Sequence, residues 1–574
     1  MPRINKRWQI APLLPPHVND ILASYPEPIR QILYNRGHST SKSAKRFLDA
    51  ELPPGTDPFD IIGIPDAVCR LGKAILNKEP IAIYGDYDVD GVTATALLVK
   101  ALEKLGGKVQ GYIPNRFDEG YGLNNEALLN LRDLGVKLVV TVDCGIRSLI
   151  EARFAREINL DLIITDHHHP TDELPDALAV IDPRQDGDPY PEKDLAGVGL
   201  AYKLVQALIT HLKKNNYPVP LDLSEGEFVD LVALGTVADL APLVGENRFL
   251  VRQGLNLIRL NERQGIHSLV SIAGINPKQI SAGDIGFVLG PRLNAAGRLD
   301  SALAAFELLT TCDAMRAGQL AQQLDNQNRE RQRIMREIQL VAEEISLSSN
   351  PDSLLLFAAH PDFNPGVVGL AASRLTEQFY RPSIVAHLGE TTTRGSCRSI
   401  PEFHITQALD LCKELLEHHG GHAAAAGFTV RNENLFIFID KLTSIAEKQL
   451  SGMDLRPVLH ADVELPLSEL KPGLLDYLEL LQPTGYGNPT ATFLSRNLKV
   501  NNSRQIGKEG EHLKMVISDG RITYDAIAFQ QGFWQDEMPP SVDLLYTFEL
   551  NRFNGHESLQ LRVKDIKAAN QKEY

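Results

Sequence analysis

From about residue 80 the chain alternates short apolar runs with longer stretches in which apolar residues recur every three or four positions. Ile81–Tyr84, Leu138–Val142, Leu162–Thr165 and Ala177–Ile181 have the length and continuity of strands buried on both faces. Between the first two, Val92, Ala96, Val99 and Leu102 recur at helical spacing, and Gly106-Gly107 marks the helix end. Strands separated by helices predict an α/β domain with a mainly parallel sheet. Residues 314–346 are strongly polar and hold no Gly or Pro after Gly318, which predicts a long exposed helix connecting domains. Mixed α/β signals with glycine-rich turns return over 352–450. From about 455, runs such as HLKMVIS, ITYDAIAF, VDLLYTFEL and SLQLRVKDI lie between turns such as Asp519-Gly520 and Asn554-Gly555. About five such strands predict a small β-barrel, an OB-fold first. The resulting division is a mainly helical N-terminal extension (1–50), a first α/β domain (51–313), a connector helix (314–350), a smaller α/β domain (351–453) and the barrel (454–574).

At 574 residues the chain exceeds what a single core sustains. No apolar run reaches the roughly 18 residues of a membrane span, and the first residues lack the apolar stretch of a secretory signal. The five cysteines show no CxxC spacing, which argues against a disulfide framework or a thiolate zinc site and for a reducing cytoplasm. The formal charge of −15 speaks against a tight duplex binder. It still admits a local basic groove, and carboxylates that hold cations count as negative in the sum.

The acids then change the picture. Strand one runs into Gly85-Asp86-Tyr87-Asp88-Val89-Asp90-Gly91, strand two ends at Asp143-Cys144-Gly145, and strand three at Asp166-His167-His168-His169. In an open α/β sheet, ligands bind beyond the carboxyl ends of the strands. Three strand ends therefore bring five aspartates and up to three histidines to one edge. Such carboxylates repel one another unless cations neutralise them. Oxygen donors with one or two imidazoles suit two Mn²⁺ or Mg²⁺ ions, about 3.5–4 Å apart, serving an in-line phosphoryl displacement. Asp239, after an apolar helical stretch, closes the site from another side. Taken singly, each piece has a plainer reading: an Asp capping a helix, a solvated His pair, or a calcium loop, although Leu97 stands where that loop needs Glu.

The set Asp86–Gly91, Asp143-Cys144-Gly145, Asp166-His167-His168 and Gly235–Asp239 resembles the DHH phosphoesterase superfamily. Pro114-Asn115-Arg116, Glu119–Gly122, Gly290–Arg298, Gly420-Gly421-His422 with Ala426-Gly427, and Gln482-Pro483 through Pro489 are similar to its single-strand-specific DNA exonucleases. The likeness runs from about residue 50 to 570. It implies a metal pair held by Asp88, Asp90, Asp143, His167 and Asp239, with Asp86 adjoining, and His168 near the scissile phosphate as acid or electrostatic stabiliser. Ser396 and Arg398, opposite Arg116, would take the substrate phosphate, with Gly420, Gly421 and His422 as an anion nest. Arg292 and Arg298 are candidates for the strand's phosphates, or structural. Cys397 departs from the family's usual Gly and would crowd the phosphate pocket; Thr484 replaces a usual Phe, and His169 has no role. The implied activity is 5′-to-3′ hydrolysis of single-stranded DNA to 5′-mononucleotides in repair and recombination. The implied setting is a monomer in the bacterial nucleoid, off the membrane, working with a RecQ-type helicase and a single-strand-binding protein. Barrel aromatics (Tyr524, Phe529, Phe533, Trp534, Tyr546, Phe548, Phe553) would stack on bases or pack the core. The alternatives are a DHH enzyme for short oligoribonucleotides, cyclic dinucleotides or pyrophosphate, which lacks the barrel, and an inactive scaffold, which would leave gaps in the acid set.

Overall fold

The computed structural model describes residues 5–115, 119–120, 122–221, 223–260, 262–299, 301–553 and 556–569. Contacts divide the chain into two units: Ile10–Asp325 with His460–Tyr574, and Met1–Gln9 with Asn326–Leu459.

In the larger unit the apolar runs become β1 (Pro80–Gly85), β3 (Leu138–Val142), β4 (Asp161–Thr165) and β5 (Ala179–Ile181) of a five-stranded sheet. With Lys108–Tyr112 as β2, the order is β2-β1-β3-β4-β5 and every pairing is parallel. The runs read as continuous because both faces are covered. Ile81, Ile83, Val140 and Ile163 enter one core, while Ala82, Tyr84, Val139 and Ile164 enter another. The edge strand β2 (Lys108–Tyr112) escaped the hydrophobic pattern, since it is half exposed and polar at alternate positions. Helix α1 (Val89–Lys104) is buried except at Lys100, Glu103 and Lys104. It begins inside the aspartate motif, three residues earlier than the periodicity suggests. Helices α2 (Gly197–Lys214) and α3 (Val229–Ala238) pack against α1.

The C-terminal strands β11 (Phe493–Ile506), β12 (His512–Ser518), β13 (Thr523–Ala528), β14 (Ser541–Phe553) and β15 (His556–Ala568) run in the order β11-β12-β13-β15-β14. Pairing of β11 with β14 closes the barrel, β13 runs parallel to β15, and the short strand Val463–Glu464 adds a parallel pairing to β11. Its core is shared with the N-terminal helices: Leu22, Ile29, Ile32, Phe47 and Leu48 pack with Leu467, Phe493, Met515 and Tyr546.

Helix α4 (Ala314–Ser349) runs from one unit into the other. It forms where predicted but is not exposed throughout: Ala317, Leu320, Ala321 and Leu324 belong to the larger unit's main core. Four small or apolar residues at helical spacing suffice for a buried stripe amid polar neighbours. The smaller unit holds β6 (Leu356–His360), β7 (Ser383–Leu388), β8 (Thr392–Arg398), β9 (Leu416–His422) and β10 (Ala425–Arg431), in the order β9-β10-β8-β7-β6. Helix α5 (Val368–Phe379) packs on β7 and β8.

Candidate metal centre

Asp88 is the N-cap of α1, its Oδ1 accepting from the amides of Asp90 (2.9 Å) and Gly91 (3.1 Å). The capping and metal readings of such an aspartate are compatible, because a carboxylate has two oxygens. Two residues on, Asp90 is buried, and its carboxylate meets the N-terminus of α2, accepting from Gly197 N (2.6 Å) and Val198 N (2.8 Å). Two amides and the helix dipole hold its charge in place. Asp143, directly after β3, is held at φ +60°, a left-handed conformation strained for a residue with a Cβ. Asp239 caps the end of α3.

These carboxylates surround one imidazole. His167 Nε2 lies 3.0 Å from Asp143 Oδ1 and 3.8 Å from both Asp90 Oδ2 and Asp239 Oδ2. Ligand atoms of Asp86, Asp88 and Asp143 lie within 4.8 Å of one another, as do those of Asp90, His167 and Asp239, and of Asp143, His167 and His168. Asp143 belongs to two of the groups and His167 to two, so the three groups form one connected cluster. Glycine makes the approach possible: a Cβ on Gly197 would lie 2.7 Å from Asp143 Cβ, and one on Gly235 2.8 Å from Asp90 Oδ1.

The electrostatics of the cluster are those of carboxylates crowded together in a buried place. Burial, then the charges of Asp239 and Asp88, push Asp90 well above the carboxylate range; burial and Asp90, Asp88 and Asp86 do the same to Asp143. Burial and Asp88 push Asp239 up to about 7. Burial, then the neighbouring His168, pull His167 down to about 3, so its ring is neutral and can offer a lone pair. Oxygen donors plus one neutral imidazole, self-repelling without cations, fit Mn²⁺ or Mg²⁺.

Asp166 points elsewhere. It accepts from the amides of Ile146 (2.9 Å), His167 (2.8 Å) and His168 (3.1 Å) and pairs with His168 Nδ1 at 2.7 Å. Burial acts against its charge, but the bond with His168 prevails and lowers its pKa. The same bond outweighs burial at His168 and raises that imidazole. Within the Gly290–Arg298 motif, Asn294 Oδ1 accepts from Val89 N (3.1 Å), and Gly297 lets the Tyr87 carbonyl come close (2.7 Å from a Cβ placed there). The Gly290–Arg298 motif thus braces the first aspartate loop. Gly197 and Val198, in the run Ala196-Gly197-Val198-Gly199, had only their glycines as a signal.

The remaining candidates separate. Arg116 lies outside the described residues. Arg292 is bonded to Asp325 Oδ1 (3.0 Å) and to Val288 O (2.8 Å). Arg298 is half-buried on the same helix, and the exposed His169 receives Arg147 at its carbonyl (2.9 Å). In the smaller unit, a Cβ on Gly369 in the first turn of α5 would lie 3.4 Å from Ser396 Oγ and 3.2 Å from Arg398 Nη2, so the two polar groups gather at one helix start. Cys397 does not crowd them. Strand alternation turns it into the core, where burial pushes its thiol up to about 12. Gly420, Gly421 and His422 are exposed on the edge strand β9. Of the aromatics, Tyr524, Trp534, Tyr546 and Phe548 pack the barrel core. Phe529 is 43% exposed beneath the Arg562 guanidinium, Phe533 is 46% exposed, and the Phe553 side chain is outside the description.

Family models match three segments: the DHH family N-terminal domain at 80–236, the DHHA1 domain at 352–448 and the RecJ OB domain at 461–565. The chain is 37% identical to the single-stranded-DNA-specific exonuclease RecJ of Bacillus subtilis, over 96% of this chain and 68% of the relative. To RecJ of Dickeya dadantii it is 37% identical over 95% of this chain and 96% of the relative. The crystal structure of Thermus thermophilus RecJ with Mn²⁺ matches with a TM-score of 0.83 and 30% identity, covering 99% of this chain and 80% of that one. That enzyme's Mg²⁺ complex matches with a TM-score of 0.78 and 28% identity, covering 98% and 79%.

Proposed function

The chain belongs to the RecJ family of single-stranded-DNA-specific exonucleases, and on that premise we propose that it trims single-stranded DNA from the 5′ end to 5′-mononucleotides in repair and recombination. The observation that carries the reading is the connected cluster of three ligand groups, in which Asp143 and His167 each belong to two. We assign Asp88, Asp90, Asp143, His167 and Asp239 to two Mn²⁺ or Mg²⁺ ions, with Asp86 adjoining. Bound there, the ions supply neutralising charge and an activated water for attack at phosphorus.

The protein residues do the rest. Gly197 and Val198 fix Asp90, leaving little freedom to collapse when charges change. Asp166 holds His168 by Nδ1 and favours its imidazolium form, in which Nε2, on a 39% exposed side chain, has a proton to offer a phosphate oxygen. Ser396 and Arg398 would take a substrate phosphate, Arg398 through its guanidinium fork, with Gly420, Gly421 and His422 alongside, and Arg116 is a further candidate for a phosphate contact. Arg298 would touch the strand. The barrel would hold the trailing strand, with Phe529 and Arg562 offering a surface for bases. The division into domains at 50, 313, 350 and 453 belongs to this reading. So do a monomeric state, a nucleoid setting, and a RecQ-type helicase and single-strand-binding protein supplying the strand. No described helix is long and apolar enough to cross a membrane.

The test offers 5′-phosphorylated single-stranded DNA, blunt duplex and a short RNA, labelled at either end, with Mn²⁺, Mg²⁺ or chelator. Mononucleotide release from the 5′ end of the single strand, lost with chelator, is expected. Equal digestion of duplex, or release from the 3′ end, overturns the substrate or the polarity.

A further inference from the structure

The segment Gln482–Pro489, which leads into β11, takes no direct part in this hydrolysis, yet it presses on the turn that follows Asp239. Leu243 N donates to the Tyr486 carbonyl at 2.7 Å. A Cβ on Gly485 would lie 2.8 Å from Leu243 Cδ1, and one on Gly487, whose φ is +74°, 2.9 Å from Pro242 Cβ. The segment is itself rigid. Gly485 and Asn488 exchange backbone bonds of 2.8 and 3.2 Å, and the buried Asn488 side chain donates to the carbonyls of Leu481 (3.0 Å) and Pro483 (2.7 Å). Arg248, buried in the helix Gly245–Leu260 just beyond the turn, donates to the carbonyls of Leu480 (2.8 Å), Leu481 (2.8 Å) and Pro483 (3.2 Å).

The turn is therefore gripped from two sides. On the inner side, Asp239 N and Ala241 N bond to the carbonyls of Gly235 (2.9 Å) and Thr236 (3.1 Å) at the end of α3. On the outer side stand Gly485, Tyr486 and Gly487. Between them Leu240 holds φ +61°, a conformation costly for leucine that persists only where its surroundings over-determine it. We propose that Gln482–Pro489 is a positioning element for Asp239, so that the segment carrying the barrel sets the affinity of one metal site. The proposal rests on Asp239 being a ligand.

Calorimetric titration of the full chain with Mn²⁺ tests it. Gly487→Ala and Gly485→Ala should weaken one of two binding events by about 10-fold, within the range for groups that orient metal ligands. The Mn²⁺ concentration for half-maximal hydrolysis should rise equally, with KM for DNA at saturating Mn²⁺ unchanged. Leu243→Ala removes the atom that Gly485→Ala strikes, so the Gly485→Ala/Leu243→Ala chain should recover affinity. Gly473→Ala, made where a Cβ meets nothing within 4 Å, should behave as the parent. Native Mn²⁺ affinity in folded Gly485→Ala and Gly487→Ala chains, whatever their melting temperatures, overturns the proposal. If Gly487→Ala does not fold, Gly485→Ala and its rescue decide. Asp239→Asn separates the two claims: native affinity there refutes the ligand assignment rather than the brace.

Discussion

Asp143 shows how one residue can be committed to a site beyond its own side chain. Its backbone is held left-handed, its Cβ touches the place of Gly197, and its carboxylate belongs to two of the ligand groups. Asp143→Ala should therefore remove activity more completely than loss of an orienting partner, which costs about 10–100-fold. Asp166→Asn is the contrasting case. It should slow hydrolysis by about 10–100-fold, because His168 loses its anchor, while Mn²⁺ still raises the melting temperature as in the parent. The raised carboxylates also set a pH dependence. A carboxyl whose folded pKa exceeds its unfolded value of about 4 stabilises the fold below that pH and loses the contribution as pH rises. For Asp239 the loss runs up to about 7. A cation must displace that proton, so a fixed Mn²⁺ concentration should raise the melting temperature more at pH 8 than at pH 6. A larger shift at pH 6 would contradict the assignment of Asp239.

At the level of elements, α1 joins capping to chemistry: the helix starts where the aspartates are, so its N-terminus and the metal centre are one construction. The strand β8 does the reverse and separates two tasks by alternation, sending Ser396 and Arg398 to one side and Cys397 to the other. The thiol at 397 should thus resist alkylation in the native protein while the exposed Cys69 and Cys312 react. Helix α4 divides its work along its length. Leu324→Ala, at a fully buried position, should cost about 3 kcal/mol by urea denaturation. Leu340→Ala, at a position 68% exposed, should stay within about 0.5 kcal/mol.

Across the larger unit, Arg248 ties three distant parts of the chain together. Besides its bonds into the segment before the barrel, its Nε donates to Phe47 O (3.0 Å), and its guanidinium lies 4.1 Å from the Phe47 ring centre. Arg248→Met leaves several buried carbonyls without a donor and should destabilise by about 3 kcal/mol or more, seen as a lower urea midpoint. Locally encoded features were legible in the sequence. Apolar runs reported strands buried on both faces, and acids directly after those runs had to gather at one sheet edge, because parallel strands end together. Alternation of β-formers reported the barrel. Partnership over long separations was decided only in the folded chain. The amides that hold Asp90 come from 107 and 108 residues away and Asn294 reaches Val89 across 205. The same holds for Arg292 bonding to Asp325, for Phe529 at the surface while Tyr524 is buried, and for Gly487 closing on Pro242. The periodicity of an element is a property of neighbouring residues, readable one turn or one strand at a time. The choice of partner for a carboxylate, an arginine or a glycine depends on which surfaces packing brings within about 3 Å, and only the tertiary structure determines that.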